Sequence, residues 1–252
     1  MTTEEAPVEE TFISHLVELR DRLVKAIIGV AIVCIALFIW PGPKEIYDFL
    51  AAPMIASLPP GAKMIATGVV APFLVPMKVT LMIALIVALP WVFYQLWAFV
   101  APGLYTHEKR LVLPLVISSS FLFIAGVAFC YFLVFGRVFH FIANFAPDSI
   151  AVMPDIENYL DFVMSMCLAF GATFEVPVVV VILVRMGIVS VEKLKSIRPY
   201  IIVGAFVIAA IVTPPDVVSQ LSLAIPMCLL FELGLLVSPL FTRMTQAPEE
   251  PA

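Results

Sequence analysis

Charged residues are scarce in this 252-residue sequence. Asp, Glu, Lys and Arg make up 13% of it, about half the share of roughly 25% in soluble domains, whereas 62% of the residues are hydrophobic. The mean hydropathy of +1.09 agrees with that imbalance. Because the apolar runs are long and do not alternate with a period of two, the composition predicts an all-α integral membrane protein.

The sequence also lacks the residue patterns of metal sites, disulfide frameworks and catalytic sites. Its four cysteines lie in apolar runs without CxxC spacing, and its three histidines are scattered. It contains no HExxH, no phosphate loop and no Ser/His/Asp set. We therefore expect no metal, no cofactor and no enzymatic activity. Without a long basic stripe, nucleic acid is not an expected partner either.

Six apolar runs approach the roughly 20 residues needed to cross a bilayer. They are residues 23–40, 76–100, 112–135, 162–184, 200–213 and 217–236. We predict six transmembrane helices, the last two short, in a single membrane domain 1–252, with cytoplasmic segments 1–22 (amphipathic) and 237–252. The fifth run is short enough to be re-entrant, but the turn signal TPPD favours a short span. The acidic start MTTEEAPVEETF does not resemble a cleavable signal, so we expect the first span to remain in the mature protein.

Lys and Arg are distributed unevenly between the loops of this six-span arrangement. The side that holds both termini carries ten of them and the opposite side carries four. Since basic residues favour the cytoplasmic side, both termini are predicted to be cytoplasmic. The loops 41–75 and 136–161 then face outward, and the prolines of the first predict a rigid outer cap.

Two carboxylates flank the membrane on the predicted cytoplasmic side. Glu18 lies in TFISHLVELRDRLVKA, four residues before Arg22, and Glu108 lies in the turn APGLYTHEKR. Each has an ordinary interpretation, a surface ion pair on an interfacial helix and a charge-balanced loop. Together they would form an acidic site suited to guanidinium, which pairs bidentately with carboxylate.

A third carboxylate, Glu175, lies in the middle of the apolar run CLAFGATFEVPVVVVILV. An acid in mid-span is costly unless it is hydrogen-bonded or lines a wet cavity, so it is a functional candidate by default. Gln220, early in the last run, has interhelical hydrogen bonding as its simpler interpretation.

Four stretches in order along the chain resemble one family. They are HLVELRDRL (15–23), YQLWAFVAPGLYTHEKR (94–110), FGATFEVPVVV (170–180) and RPYIIVGAFVIAAIVTPPDVVSQLSLAIPMCLLFE (198–232). Together they resemble TatC, the multispanning core of the twin-arginine protein translocase. The resemblance implies a glove-like, concave helical fold with a periplasmic cap, in the bacterial inner membrane. It further implies export of folded proteins by the proton-motive force.

The same resemblance implies partners and a site. The partners would be twin-arginine signal peptides, the single-span proteins TatA and TatB, other TatC copies and membrane lipids. The signal-peptide site would centre on Glu18 and Glu108. The residues that would shape its pocket are Leu19, Arg20, Phe99, Pro102, Leu104, Tyr105 and His107.

The resemblance also assigns roles away from that pocket. Glu175 would meet polar groups of TatA or TatB on the concave face, and Gln220 would contact such a helix. Pro53 and Asp216 would belong to the outer cap. Gly68 follows IAT, where close relatives are expected to have an acid, so a role for a cap acid at that position is in doubt.

Two other functions are compatible with parts of the sequence. A proton-coupled secondary transporter of a small solute could use Glu175 as a proton relay, although the sequence shows no internal repeat. An intramembrane enzyme would need a nucleophile and a base, and no such pair is apparent.

Overall fold

Helices form almost all the regular structure of this protein in a computed structural model that describes residues 6–58, 63–100, 112–145, 147, 153–213 and 216–242. In chain order these are α1 (Ala6–Ile39), α2 (Pro43–Ser57), α3 (Ala71–Val87), α4 (Leu89–Val100), α5 (Val112–Phe129), a π-helical turn (Cys130–Val134), α6 (Phe135–Phe145), α7 (Ile156–Phe174), α8 (Val176–Arg185), α9 (Val191–Ser196), α10 (Arg198–Val212) and α11 (Val217–Thr242). Within the described ranges, the extended pairing is limited to one isolated bridge between Ile65 and Asp155. The predicted all-α class is confirmed.

Several of these helices are long and apolar enough to cross a membrane. Four segments pass that test alone: Ser14–Ile39, Val112–Phe145, Ile156–Arg185 and Val217–Pro239. Helices α3 and α4 pass it together, although they meet at an angle of 53°, and α10 is apolar but shorter. The chain is therefore a helical membrane protein. The count of six spans and their boundaries stay a prediction.

The chain divides into two units, Met1–Gly42 with Thr80–Ser120, and Pro43–Val79 with Phe121–Ala252. In the first unit, α1 packs against α4. The indole of Trp91 lies over Gly29 and its Nε1 donates a 2.9 Å hydrogen bond to the carbonyl oxygen of Lys25. The buried indole of Trp97 donates to the hydroxyl of Ser119 at 3.2 Å. Helix α1 continues without a break from the predicted amphipathic segment into the first apolar run.

The second unit has an aromatic core built by α5, the π-helical turn, α6 and α7. Phe135 and Phe170 are fully buried, and Phe135 stacks on Phe139 with ring centroids 5.4 Å apart. Two tyrosine hydroxyls fasten α2 to this core, because Tyr131 donates to the carbonyl of Phe49 and Tyr159 to that of Leu50. Helix α2, in the predicted outer-cap segment, is therefore hydrogen-bonded to the π-helical turn and to α7.

The last helices of the second unit form their own apolar cluster. Its buried members are Val180, Val184, Leu194, Phe231 and Leu235, contributed by α8, α9 and α11. Ser190 starts α9 as its N-cap, since its hydroxyl accepts a hydrogen bond from the amide of Lys193. Helix α10 runs beside α11, and its apolar side chains are largely exposed, as expected of a helix that faces lipid.

Candidate functional site

Glu18 is a half-buried side chain on α1, and it is already engaged. Its Oε1 accepts hydrogen bonds from Nη2 of Arg22 at 2.7 Å and from Nε of Arg22 at 2.9 Å. The side chains of Arg22 and Glu18 are 25% and 35% exposed, so the pair is only partly screened by solvent. Both of these hydrogen bonds fall on the same carboxylate oxygen, Oε1.

The base of α1 is held to the end of α4 by an aromatic contact. The ring of His15 stacks on Phe99 with centroids 4.4 Å apart and an angle of 22° between the planes. His15 precedes Glu18 by three residues, a little less than one helical turn, and α4 ends at Val100. The end of α4 therefore lies against the stretch of α1 that contains Glu18.

The other residues predicted for the signal-peptide pocket divide into two groups. Leu19 is 44% exposed on α1, and the exposed Arg20 pairs with its neighbour Asp21 at 2.8 Å. The remaining predicted pocket residues lie outside the described residues: Pro102, Leu104, Tyr105, His107 and Glu108. The pocket itself stays a prediction. Of its predicted residues, the structure describes Glu18, Leu19 and Arg20 on α1 and Phe99 on α4.

Glu175 lies where α7 ends and α8 begins. Its backbone amide donates to the carbonyl of Ala172 at 3.1 Å, and its own carbonyl accepts from Val179 at 3.0 Å. The next turn contains Pro177, which has no amide hydrogen and cannot continue the helical ladder. The acid therefore occupies a break in an otherwise apolar segment, with a half-buried side chain.

Three further predicted residues have identifiable local roles. The carboxylate Oδ1 of Asp216 accepts from the amide of Ser219 at 2.7 Å, which caps the start of α11. Gln220 is half-buried in the first turn of α11, and its backbone amide donates to the backbone carbonyl of Asp216 at 3.1 Å. Pro53 lies inside α2.

Two interacting residues in the loops that were predicted to face outward, Thr67 and Asp155, were not singled out in the sequence analysis. Asp155 caps α7 by accepting from the amides of Glu157 and Asn158. Its other oxygen accepts from the hydroxyl of Thr67 at 2.7 Å and from the amide of Thr67 at 3.0 Å. These bonds favour the ionised form, and the Thr67 hydroxyl contributes most to holding the pKa of Asp155 below its ordinary value.

Gly68, the departure from the family pattern, lies beside another acid. A Cβ atom on Gly68 would lie 3.2 Å from Oε2 of Glu157 and 3.3 Å from the Cβ of Ala71. The carboxylate of Glu157 thus comes to the place where a side chain at position 68 would begin. This contact could not be predicted from the sequence, because it joins residues far apart in the chain.

An ion pair links the beginning of α10 to the second half of α11. Nη2 of Arg198 donates to Oε2 of Glu232 at 2.6 Å, and both side chains are a little under half exposed. Such a pair satisfies a carboxylate on an apolar helix. Elsewhere in the described part of the chain, no three His, Cys, Asp or Glu side chains lie close enough together to hold a metal ion.

Comparisons with known proteins agree with one another. The family model described as Sec-independent protein translocase protein (TatC) matches residues 14–226. The Sec-independent protein translocase protein TatC of Haemophilus influenzae is 51% identical over 229 residues, covering 91% of this chain and 89% of the relative. The protein of the same name in Escherichia coli K12 is 50% identical over 245 residues, covering 96% and 94%.

The fold gives the same result. The crystal structure of the twin arginine translocase receptor TatC superposes with a TM-score of 0.78 at 37% sequence identity, covering 91% of this chain and 100% of that one. A second crystal structure of the receptor, in the detergent DDM, gives a TM-score of 0.79 at 36% identity. The four motifs that resembled the family thus belong to a match that runs through nearly the whole chain, and the chain belongs to the TatC family of Sec-independent protein translocase proteins.

Proposed function

We propose that this chain is the receptor and core component of a twin-arginine translocase. It binds twin-arginine signal peptides at Glu18 and Glu108, assembles with TatA and TatB, and serves the export of folded proteins driven by the proton-motive force. It performs no chemistry of its own. The observation that carries the proposal is the likeness of 91% of the chain to a protein described as a twin arginine translocase receptor.

The geometry of Glu18 supports the receptor role. A carboxylate whose two bonds from Arg22 fall on Oε1 keeps Oε2 for a second guanidinium. An arriving arginine would share the carboxylate or replace Arg22, and either exchange keeps the buried charge paired. A lysine would supply a point charge without the planar fork that matches a carboxylate. The stacked pair His15 and Phe99 would fix the site's edge.

The membrane arrangement belongs to the same proposal. Six spans would consist of α1, the bent pair α3 and α4, α5 with α6, α7 with α8, α10, and α11. The chain would lie in the bacterial inner membrane with both termini cytoplasmic, which the excess of Lys and Arg on that side supports. The loops with α2, Thr67 and Asp155 would then face the periplasm.

Docking of single-span partners is proposed for two polar positions. Glu175 at the break between α7 and α8, and Gln220 in the first turn of α11, are half-buried polar groups on otherwise apolar segments. Polar groups on TatA or TatB helices could hydrogen-bond to them within the hydrocarbon layer, where polar residues hold helices together. Other copies of this chain would complete the assembly.

The test is binding of a twin-arginine signal peptide to the purified chain in nanodiscs. The comparison peptide has two lysines in place of the arginines, and the variants are Glu18→Ala and Glu108→Ala. Removing one partner of a desolvated, charge-assisted pair should cost about 2–5 kcal/mol, which weakens binding by roughly 30-fold or more.

Glu192→Ala is the matched control, because Glu192 is an exposed acid in α9, on the same predicted side of the membrane. It should bind the peptide like the unaltered chain. Equal binding of both peptides, or unchanged binding in both acid variants, would refute the receptor site. Uptake of a small solute by the purified chain would then have to be measured, since the transporter alternative requires it.

A further inference from the structure

A groove opens on one side of α1, where α3 bends into α4. We call it the Lys25 groove. Its lining residues are Lys25, Ile28, Gly29, Ile32, Val33, Val87, Ala88, Pro90 and Trp91, and its volume is about 460 Å³. The groove exists because α3 and α4 meet at 53°. Of these two helices, α1 packs mainly along α4.

The Lys25 groove has the size of a ligand site and an apolar wall. Small-molecule sites typically enclose roughly 300–1,000 Å³, and apart from the ammonium group its side chains are aliphatic or aromatic. Gly29 makes room for the wall on one side, because a Cβ there would lie 2.3 Å from Cδ1 of Trp91. The indole nitrogen donates to the carbonyl of Lys25, and the ring lines the groove.

The position of Lys25 along α1 places its charge near one membrane surface. Lys25 precedes Trp40 by fifteen residues, which is about 22 Å along a helix. The hydrocarbon layer is about 30 Å thick. With the exposed Trp40 at one interface, the long lysine side chain can reach the headgroups of the opposite leaflet. The half-exposed Trp91 beside it is a residue type that favours this depth.

The charge of Lys25 has no acidic partner within the described part of the chain. A second groove, on the other face of α1, can be compared with the Lys25 groove. It is larger, about 740 Å³, and its lining is entirely apolar, with Leu23, Ile27 and Phe38 from α1 and Leu81 from α3 among its residues. Acyl chains of any lipid would cover that surface, whereas the Lys25 groove combines an acyl-sized channel with a cation at headgroup depth.

We propose that the Lys25 groove is a binding site for one anionic phospholipid in the leaflet nearest the N-terminal end of α1. The phosphate and the anionic headgroup pair with the ammonium group of Lys25. One acyl chain lies along Ile28 and Ile32 with Trp91 as its wall. Charge complementarity favours an anionic lipid over an uncharged transmembrane helix as the occupant, because only the lipid brings an anion to Lys25.

The test uses the fluorescence of Trp91 in vesicles. The full chain is placed in phosphatidylcholine vesicles that contain an equal fraction of brominated phosphatidylglycerol or brominated phosphatidylcholine. Bromine on an acyl chain quenches an indole that it touches. The difference between the chain and its Trp91→Phe variant isolates Trp91, and the exposed Trp40 reports general lipid contact. We expect phosphatidylglycerol to quench Trp91 with about fivefold higher apparent affinity, the factor contributed by one lysine near an anionic headgroup.

Lys25→Gln should abolish the preference and Lys25→Arg should keep it. Lys193→Gln, which removes an exposed lysine from α9, should leave it unchanged. Equal quenching by the two lipids, or a preference that survives in Lys25→Gln, would overturn the proposal. So would a Trp91 that neither lipid quenches, because the groove would then be closed or filled by protein.

Discussion

Helix α1 and the paired helices α7 and α8 have almost the same hydropathy in opposite surroundings. The most apolar window of Ser14–Ile39 has a mean hydropathy of 2.5 and is 6% buried, and that of Ile156–Arg185 has a mean hydropathy of 2.4 and is 50% buried. The first segment packs mainly against α4. The other segment belongs to the core of the second unit, where Phe170 and Met166 are fully buried.

The difference teaches that hydropathy measures transfer into hydrocarbon and does not distinguish lipid from protein as the solvent. Lipid tails are as apolar as leucine, so apolar side chains gain little by leaving them for a protein core. Close fit decides which helix is enclosed. Around α7 the backbone of α5 approaches at Gly126, whereas α1 makes one comparable approach, Gly29 to the movable side chain of Trp91.

The largest effect is expected at the enclosed helix. A Cβ at Gly126 would lie 2.5 Å from the carbonyl oxygen of Phe170 and 3.0 Å from its carbonyl carbon. Backbone cannot rotate away, so Gly126→Ala must push α5 and α7 apart. Overpacking of this kind costs about 1–3 kcal/mol, and thermal unfolding in detergent should report it as a clear fall in the midpoint.

Gly204→Ala is the matched control for that change. Nothing lies within 4 Å of a Cβ at Gly204 in α10, so alanine should be neutral or stabilise the helix by about 0.5–1 kcal/mol. Similar midpoints for the two variants would mean that α5 and α7 do not touch as described.

The same substitution in α1 should have a smaller effect. In Gly29→Ala the new methyl group meets the indole of Trp91, which is 45% exposed and can turn outward. The cost is the hydrogen bond to the carbonyl of Lys25, about 0.5–1.5 kcal/mol. Unfolding midpoints and the emission wavelength of Trp91 measure it. A loss as large as that of Gly126→Ala would erase the contrast between the two helices.

A still smaller effect is expected at Gly68 in the second unit. Gly68→Asp restores the acid expected in relatives but places it against Glu157, and two partly exposed carboxylates should repel by roughly 0.2–1 kcal/mol. The double variant with Glu157→Ala should recover the midpoint of the unaltered chain. A destabilisation that persists without Glu157 would show that crowding at Ala71 is the cause.

The smallest effect concerns pH. Because the folded-state pKa of Asp155 is lowered, its contribution to stability is fully present above the unfolded pKa of about 3.9 and is lost as pH falls through the lower folded value. Stability should therefore not change through Asp155 between pH 7 and pH 5. An NMR titration that follows the carboxyl carbon of Asp155 should give a higher pKa in Thr67→Val than in the unaltered chain. An unchanged titration would exclude Thr67 as the cause.

The sequence predicted what depends on neighbours along the chain. The pairing of Glu18 with Arg22 follows from i, i+4 spacing. The break at Glu175 was not predicted, although Pro177 two residues further on offers a local cause. The membrane-spanning capacity follows from the long apolar runs. Each of these features is determined within a few residues, where helix geometry leaves little choice.

Contacts between distant residues could not be predicted in the same way. Thr67 and Asp155 meet across 88 positions, Arg198 and Glu232 across 34, and His15 stacks on Phe99. Nothing in a single sequence specifies which of many exposed acids a threonine or arginine will meet. The pocket around Glu108 stays a prediction for a different reason, since that segment lies outside the described residues.

Helix α1 contacts α4 at two positions whose spacing defines a lever. His15 lies on Phe99 and Gly29 lies under Trp91, and these two positions are about 21 Å apart at 1.5 Å per residue. Ile39 lies about 15 Å beyond Gly29, in the part of α1 that lines the larger groove. If α1 moves as a rigid helix, a sideways shift of about 1 Å at the first position with the second fixed swings Ile39 by about 0.7 Å the other way, in the ratio of the two lengths. A displacement beside Glu18 would then be carried to the far end of α1.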